Sequence, residues 1–112
     1  MTPNNQKTSN VAYLDSVINF YIQLPDTPVK PSQNDRCTAT AFLSQGIPIH
    51  TVEAALLLAS VRRLARPDDA TPLPPVRSLA YFSPVVRELS DSPLPDGYLE
   101  YLRDKLKRLR AT

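Results

Sequence analysis

The stretch PIHTVEAALLLASVRRLAR, residues 48–66, is apolar around nearly its whole circumference when read at helical spacing. Val52, Ala55, Leu56, Leu57, Leu58, Ala59, Val61 and Leu64 cover most of the wheel, and Glu53, Ser60 and Arg63 form one narrow polar strip. A helix with so little polar surface must be surrounded by other elements, so residues 48–65 are read as the hub of a helical bundle. Its longest apolar run, AALLLA, is too short to cross a bilayer, so its surroundings are expected to be protein.

Working outward, VRSLAYFSPVVREL (76–89) carries Leu79, Phe82, Val86 and Leu89 on one face, in phase across Pro84. The simplest expectation is one continuous helix, bent at a proline that lies opposite the stripe on the solvent side, with the Ala80 carbonyl turned to water. The competing expectation starts a second helix there, with Ser83 as cap and Pro84 as first residue. The segment DGYLEYLRDKLKRLR closes the chain as a helix with Tyr98, Leu102, Leu106 and Leu109 as its buried stripe.

Before the hub, NDRCTATAFLSQG predicts a helix capped at Asn34, with Phe42 and Leu43 packed and Gly46 just past its end. Further back, Val11, Leu14, Val17, Ile18, Tyr21 and Ile22 recur at helical spacing after Asn10, a candidate cap. Residues 1–9 are polar and read as a disordered lead, leaving 10–110 as a single helical domain. The fold class is therefore all-α: about five helices around the hub, joined by proline-rich loops.

Composition agrees with that layout. With 12 prolines and 2 glycines in 112 residues, turns are set by fixed φ rather than by left-handed residues. Pro25, Pro28 and Pro31 are spaced by three, which suits an extended polyproline-like connector. The scarcity of glycine also argues against a glycine-rich phosphate cradle. One cysteine excludes an internal disulfide framework and fits a reducing compartment, and no apolar signal segment is visible near the start. A cytoplasmic location with no membrane partner is the expectation.

Enzymatic chemistry has little to stand on. Cys37 and His50 could form a nucleophile pair only with an orienting group and an oxyanion hole, so a buried thiol and a cap-region histidine are expected instead. Asp68, Asp69, Asp91 and Asp96 fall in loops as solvated acids, and a zinc ligand set is missing. No catalytic residue, metal or cofactor is assigned. A helix–turn–helix over 35–65 matches in outline, yet its second helix would have to show polar side chains to base edges and is instead the most apolar in the chain.

The cations carry more information. The net charge is only +2, but residues 103–112 hold Arg103, Lys105, Lys107, Arg108 and Arg110 against the single acid Asp104. Arg103, Lys107 and Arg110 recur at i, i+4 and i+7 beside the apolar stripe. They form a candidate phosphate-contacting strip, which Arg62, Arg63 and Arg66 at the end of the hub could extend. Tyr98 and Tyr101 could stack bases nearby, although packing is the stronger expectation for Tyr98. Arg77 and Tyr81, four apart near Glu88, are candidates for a partner-binding face.

The region GIPIHTVEAALLLASVRRLARPDDATPLPPVRSLAYFSPVVREL resembles the C-terminal helical module of DnaD-like primosome proteins and of plasmid and phage replication initiators. That module has a long apolar helix, a loop, and a helix carrying Tyr, Ile and Trp at spacings of four. The corresponding residues here are Tyr81, Val85 and Leu89, so the aromatic end is replaced. The resemblance implies binding of single-stranded or double-stranded DNA and contact with a replication initiator or helicase-loading protein. The function expected is thus a non-enzymatic accessory protein of replication or a mobile element. A protein-only helical adaptor, in which the basic strip is ordinary surface, is the alternative, and a second copy of the chain is a further candidate partner.

Overall fold

Burying a helix on nearly every side dictates where the rest of the chain must go. The computed structural model describes residues 3–67 and 69–111, with side chains from residue 10 onward. Among these, five α-helices occur: α1 Pro3–Ile22, α2 Gln33–Ser44, α3 Ile49–Leu64, α4 Ser83–Asp91 and α5 Tyr98–Ala111. A 3-10 turn, Leu79–Phe82, leads into α4, and no strand is present among the described residues. The all-α expectation holds, and α3 is the hub: every residue from Ala54 to Val61 is buried, against α5, α4 and α1. Ser60 departs from the expected polar strip, being only 3% exposed. A helical serine can return its hydroxyl to the backbone one turn earlier, which keeps the cost of such burial low.

α1 begins at Pro3, so Asn10 is not its cap. Of the expected lead, residues 1 and 2 and the side chains of 3–9 lie outside the described residues. Val17, Ile18 and Tyr21 are buried as their spacing requires, whereas Val11 is 56% exposed. The Tyr13 hydroxyl donates to the Ile47 carbonyl at 2.8 Å and ties α1 to the turn before α3. Burial pushes that hydroxyl up to about 12.

After α1 the chain turns compactly instead of running as an extended proline connector. The single Thr27 hydroxyl proton is shared between the carbonyls of Tyr21 and Leu24, at 2.9 and 2.7 Å, closing the helix end. Asp26 takes a positive φ of 64°, and its carbonyl accepts from the Val76 amide at 2.8 Å, joining the two proline-rich loops.

α2 is capped by Ser32 rather than Asn34. Ser32 Oγ accepts from the Asp35 amide at 3.1 Å and Asp35 Oδ2 accepts from the Ser32 amide at 2.9 Å, a reciprocal capping box. Gly46 stands where it was expected, at φ 75°, with its amide on Leu43 O and that of Ile47 on Phe42 O. This is the Schellman closure that turns the chain into α3.

Asp35 has a second partner. It is 1% exposed, and its Oδ1 accepts from the Leu79 amide at 2.9 Å, across 44 residues. The carboxylate thus pins the start of the 3-10 turn to the start of α2. This arrangement overturns the single bent helix and bears out the competing expectation of a helix that starts at Pro84, with its cap one residue earlier, at Phe82 rather than Ser83. The chain through Ser78 is extended, Leu79–Phe82 is a 3-10 turn, and Pro84 lies in the first turn of α4, whose N-cap is Phe82. The missing Pro84 amide is harmless at that position, because first-turn amides have no helical acceptor. The Ala80 carbonyl is taken by the Ser83 amide rather than by water. Leu79, Phe82, Val86 and Leu89 are nevertheless all buried, and Pro84 is exposed.

Tyr21 is fully buried with its ring edge-on to Phe82, centroids 6.0 Å apart. Burial, and then the nearby Asp35 carboxylate, push its hydroxyl up to about 12. That hydroxyl has no hydrogen-bond partner among the described residues. Removing an unsatisfied buried polar atom is favourable, so Tyr21→Phe is expected to raise the unfolding free energy by about 1 kcal/mol. Urea unfolding would detect this; a loss larger than that would mean the hydroxyl is engaged.

Candidate functional site

The six cations singled out by the sequence differ in their partners. At the end of α3, Arg62 grips Glu88 with two hydrogen bonds of 3.0 and 2.9 Å, on side chains 52% and 46% exposed. These bonds raise the pKa of Arg62 and hold the Glu88 carboxyl below its usual value. Arg63 is more deeply committed. Its side chain is 9% exposed, with Nη1 donating to the Tyr81 hydroxyl at 3.1 Å and Nη2 to Pro74 O at 2.9 Å and Asp26 Oδ2 at 3.4 Å. The guanidinium also lies 5.3 Å from the centroid of the Tyr81 ring. Arg66 is half-buried beside Asp26 and Pro67 in a shallow groove.

Arg62 and Arg63 thus each have a carboxylate partner, Arg62 in an exposed pair and Arg63 in a largely covered one. Their carboxylate partners come from the loop after α1 and from α4, which the sequence alone does not bring to the hub. Arg63→Ala is expected to lower stability by about 0.5–1.5 kcal/mol, since it removes the bonds to the Pro74 carbonyl and the Tyr81 hydroxyl, which are exposed and which water can serve. Limited proteolysis should show earlier cleavage within 67–75, while Arg63→Lys, lacking the planar fork, should restore little.

Arg77 and Tyr81 are likewise not the helical i, i+4 pair expected. Arg77 precedes the 3-10 turn on an extended segment, exposed to solvent, and Tyr81, 42% exposed, faces Arg63. Tyr81 and Val85 border a small groove with Ala59 and Leu73.

α5 presents the other three cations differently. Leu102 and Leu106 face α3, and Leu109 is half-buried. At about 100° per residue, Arg103, Lys107 and Arg110 fall on one side of this stripe, and Tyr98, Tyr101 and Lys105 on the other. Tyr98, placed in the buried stripe by its spacing, is instead 37% exposed and packs edge-on to Tyr101 at 5.2 Å. Lys105 Nζ lies 5.9 Å from the centroid of the Tyr101 ring, and Tyr98 is close enough to Arg62 to raise its pKa further. The tyrosine pair thus lies across the buried stripe from the three aligned cations, on the flank that carries Lys105.

On the opposite flank, Arg103, Lys107 and Arg110 rim an open groove of about 270 Å³ between α1 and α5. Its apolar wall comes from Phe20, Leu24, Leu57 and Leu106, and Gln23 stands at its edge. All three cations are exposed, and no carboxylate pairs with them among the described residues. Arg110 makes one long contact, Nη1 to Gln23 O at 3.4 Å. No family model, curated protein or solved structure matches the chain. The site must be read from its own chemistry.

Elsewhere the polar groups are dispersed. Cys37 is exposed, not the buried thiol expected, and lines a groove between α2 and α4 with Asp91. His50 lines a different groove, with Asp96. Asp69 is exposed and Asp68 lies outside the described residues. No group of three His, Cys, Asp or Glu among the described residues is placed to hold a metal ion. Nor is any helix among them long and apolar enough to cross a membrane.

Proposed function

We propose that this chain is a non-enzymatic, cytoplasmic DNA-binding accessory protein of replication or of a mobile element, contacting phosphates through Arg103, Lys107 and Arg110. The observation that carries the reading is their contrast with the hub arginines. Arg62 and Arg63 are paired with Glu88 and Asp26, whereas the three α5 cations are aligned, exposed and without a carboxylate partner among the described residues. Unpaired cations along one line are what counterion release from a nucleic acid requires. The DnaD-like resemblance of residues 46–89 supports the replication setting. It also supports a replication initiator or helicase-loading protein as partner, which would meet the exposed Arg77 and Tyr81.

The test is fluorescence anisotropy with labelled oligonucleotides across a salt series. Binding should weaken steeply with salt, and the triple change Arg103, Lys107, Arg110→Ala should reduce the slope of log K against log salt by about 2–3, as three lost phosphate contacts require. Helical content should be unchanged, since all three side chains are exposed. An identical slope in the triple variant would sink the assignment of these residues. Absence of binding at low salt would favour the protein-only adaptor, for which the exposed Tyr81, Tyr98 and Tyr101 are suitable interface anchors.

A further inference from the structure

We infer that the groove between α1 and α5 takes one unstacked base of a single strand while Arg103, Lys107 and Arg110 hold the adjoining phosphates. The inference rests on the DNA reading and adds to it a selectivity for single-stranded nucleic acid and a second set of residues. A phosphate strip alone needs no concavity. Here the three cations occupy one rim of a depression whose wall is Phe20, Leu24, Leu57 and Leu106, with the Gln23 side chain exposed at its edge.

The placement matches a polymer with charge along one edge and flat apolar rings along the other. Phe20, half-buried, contributes an aromatic ring to the wall, and base–aromatic contact is tolerant of sequence. Gln23 offers an amide, which can both donate to and accept from a base edge. In a duplex the bases are stacked inside and cannot enter, so only a single strand uses the groove and the cations together.

The lining separates this occupant from an acidic amphipathic helix, the other partner its charge would suit. A docked helix places anchors at i, i+3, i+4 and i+7 and needs an apolar trough along several turns. The groove offers single side chains of Phe20, Leu24, Leu57 and Leu106 as its apolar wall, with no such trough along several turns.

The experiment compares a fluorescein-labelled thymidine oligonucleotide with a duplex of equal length on the full chain, for wild type and Gln23→Trp. Gln23 is exposed, so the indole can fill the groove without disturbing the core. Single-strand affinity is expected to fall at least about fivefold, the lower end of what one base–aromatic contact contributes, with duplex affinity unchanged within about twofold. In parallel, the wild-type chain is photo-crosslinked to a strand carrying 5-iodouracil, with the adduct expected on the peptide containing Phe20. Equal affinity for the two probes, unaffected by Gln23→Trp, or adducts confined to Tyr98 and Tyr101, would overturn the groove and leave the phosphate strip standing. Binding of neither probe would overturn both readings. A leucine- and glutamate-rich peptide that binds in a Gln23→Trp-sensitive way while the oligonucleotides do not would overturn them in favour of a peptide groove.

Discussion

Asp35→Ala is expected to lower the unfolding free energy by about 2–4 kcal/mol. The carboxylate accepts from two backbone amides that nothing else serves, Ser32 at 2.9 Å and Leu79 at 2.9 Å. Losing the capping half costs about 1 kcal/mol, because Ser32 is exposed and water can take its amide. The Leu79 amide has no such recourse, since Leu79 is fully buried, and an orphaned buried donor costs about 1–3 kcal/mol. Relief from burying a charge works in the opposite direction and keeps the sum below the largest core losses. Asp35→Asn should lose less than the alanine variant, since its carbonyl oxygen still serves one amide. Urea unfolding followed by circular dichroism gives both values. A loss below about 1 kcal/mol for Asp35→Ala would show that the 3-10 turn does not depend on this carboxylate.

The same residue shows what the sequence did and did not disclose. Ser32 and Asp35 stand three apart, and that spacing alone signals a capping box. Asn34 drew attention as the cap because it too is a good cap residue, and single-residue preference does not choose between neighbours two apart. The second bond of Asp35, to Leu79, lies 44 residues away and no periodicity encodes it. Hydrophobic patterning disclosed the hub, the stripe from Leu79 to Leu89 and the Gly46 closure, because burial repeats with the period of the helix. It misplaced Tyr98, whose spacing matches the stripe but whose position at the first turn of α5 leaves it uncovered.

The candidate site was legible to the same extent. The alignment of Arg103, Lys107 and Arg110 follows from spacing on one helix. Their difference from Arg62 and Arg63 does not, because it depends on Glu88 and Asp26 arriving from other elements. The wall contributed by Phe20 and Leu24 is a property of how α1 meets α5, more than 70 positions later in the chain. Charge pattern can be read along a helix; what faces it across a groove cannot.

The largest expected loss falls on the hub. Leu56→Ala should cost about 4–5 kcal/mol and Leu57→Ala about 2–3 kcal/mol, although the substitutions are adjacent and chemically identical. Leu56 is fully enclosed, with α1, α4 and α5 all packed on α3, so no element can close the void without leaving another partner. The cost of Leu→Ala rises with the cavity that remains, which places Leu56 near the top of the range. Leu57 is also buried, but it borders the groove between α1 and α5, where the space left can open to water or be filled by the half-buried Phe20. Equal losses for the two variants would mean that the groove wall is as rigid as the core. Loss of Leu56 removes a large share of the roughly 5–15 kcal/mol that holds a domain of this kind together. α5 should suffer first, because it packs chiefly on α3, whereas α2 is held independently by α1 and by the Asp35 bond to the 3-10 turn. Amide exchange in the Leu56 variant should therefore speed up in 98–111 more than in 33–44, and α5 carries the three cations on which DNA binding is proposed to depend.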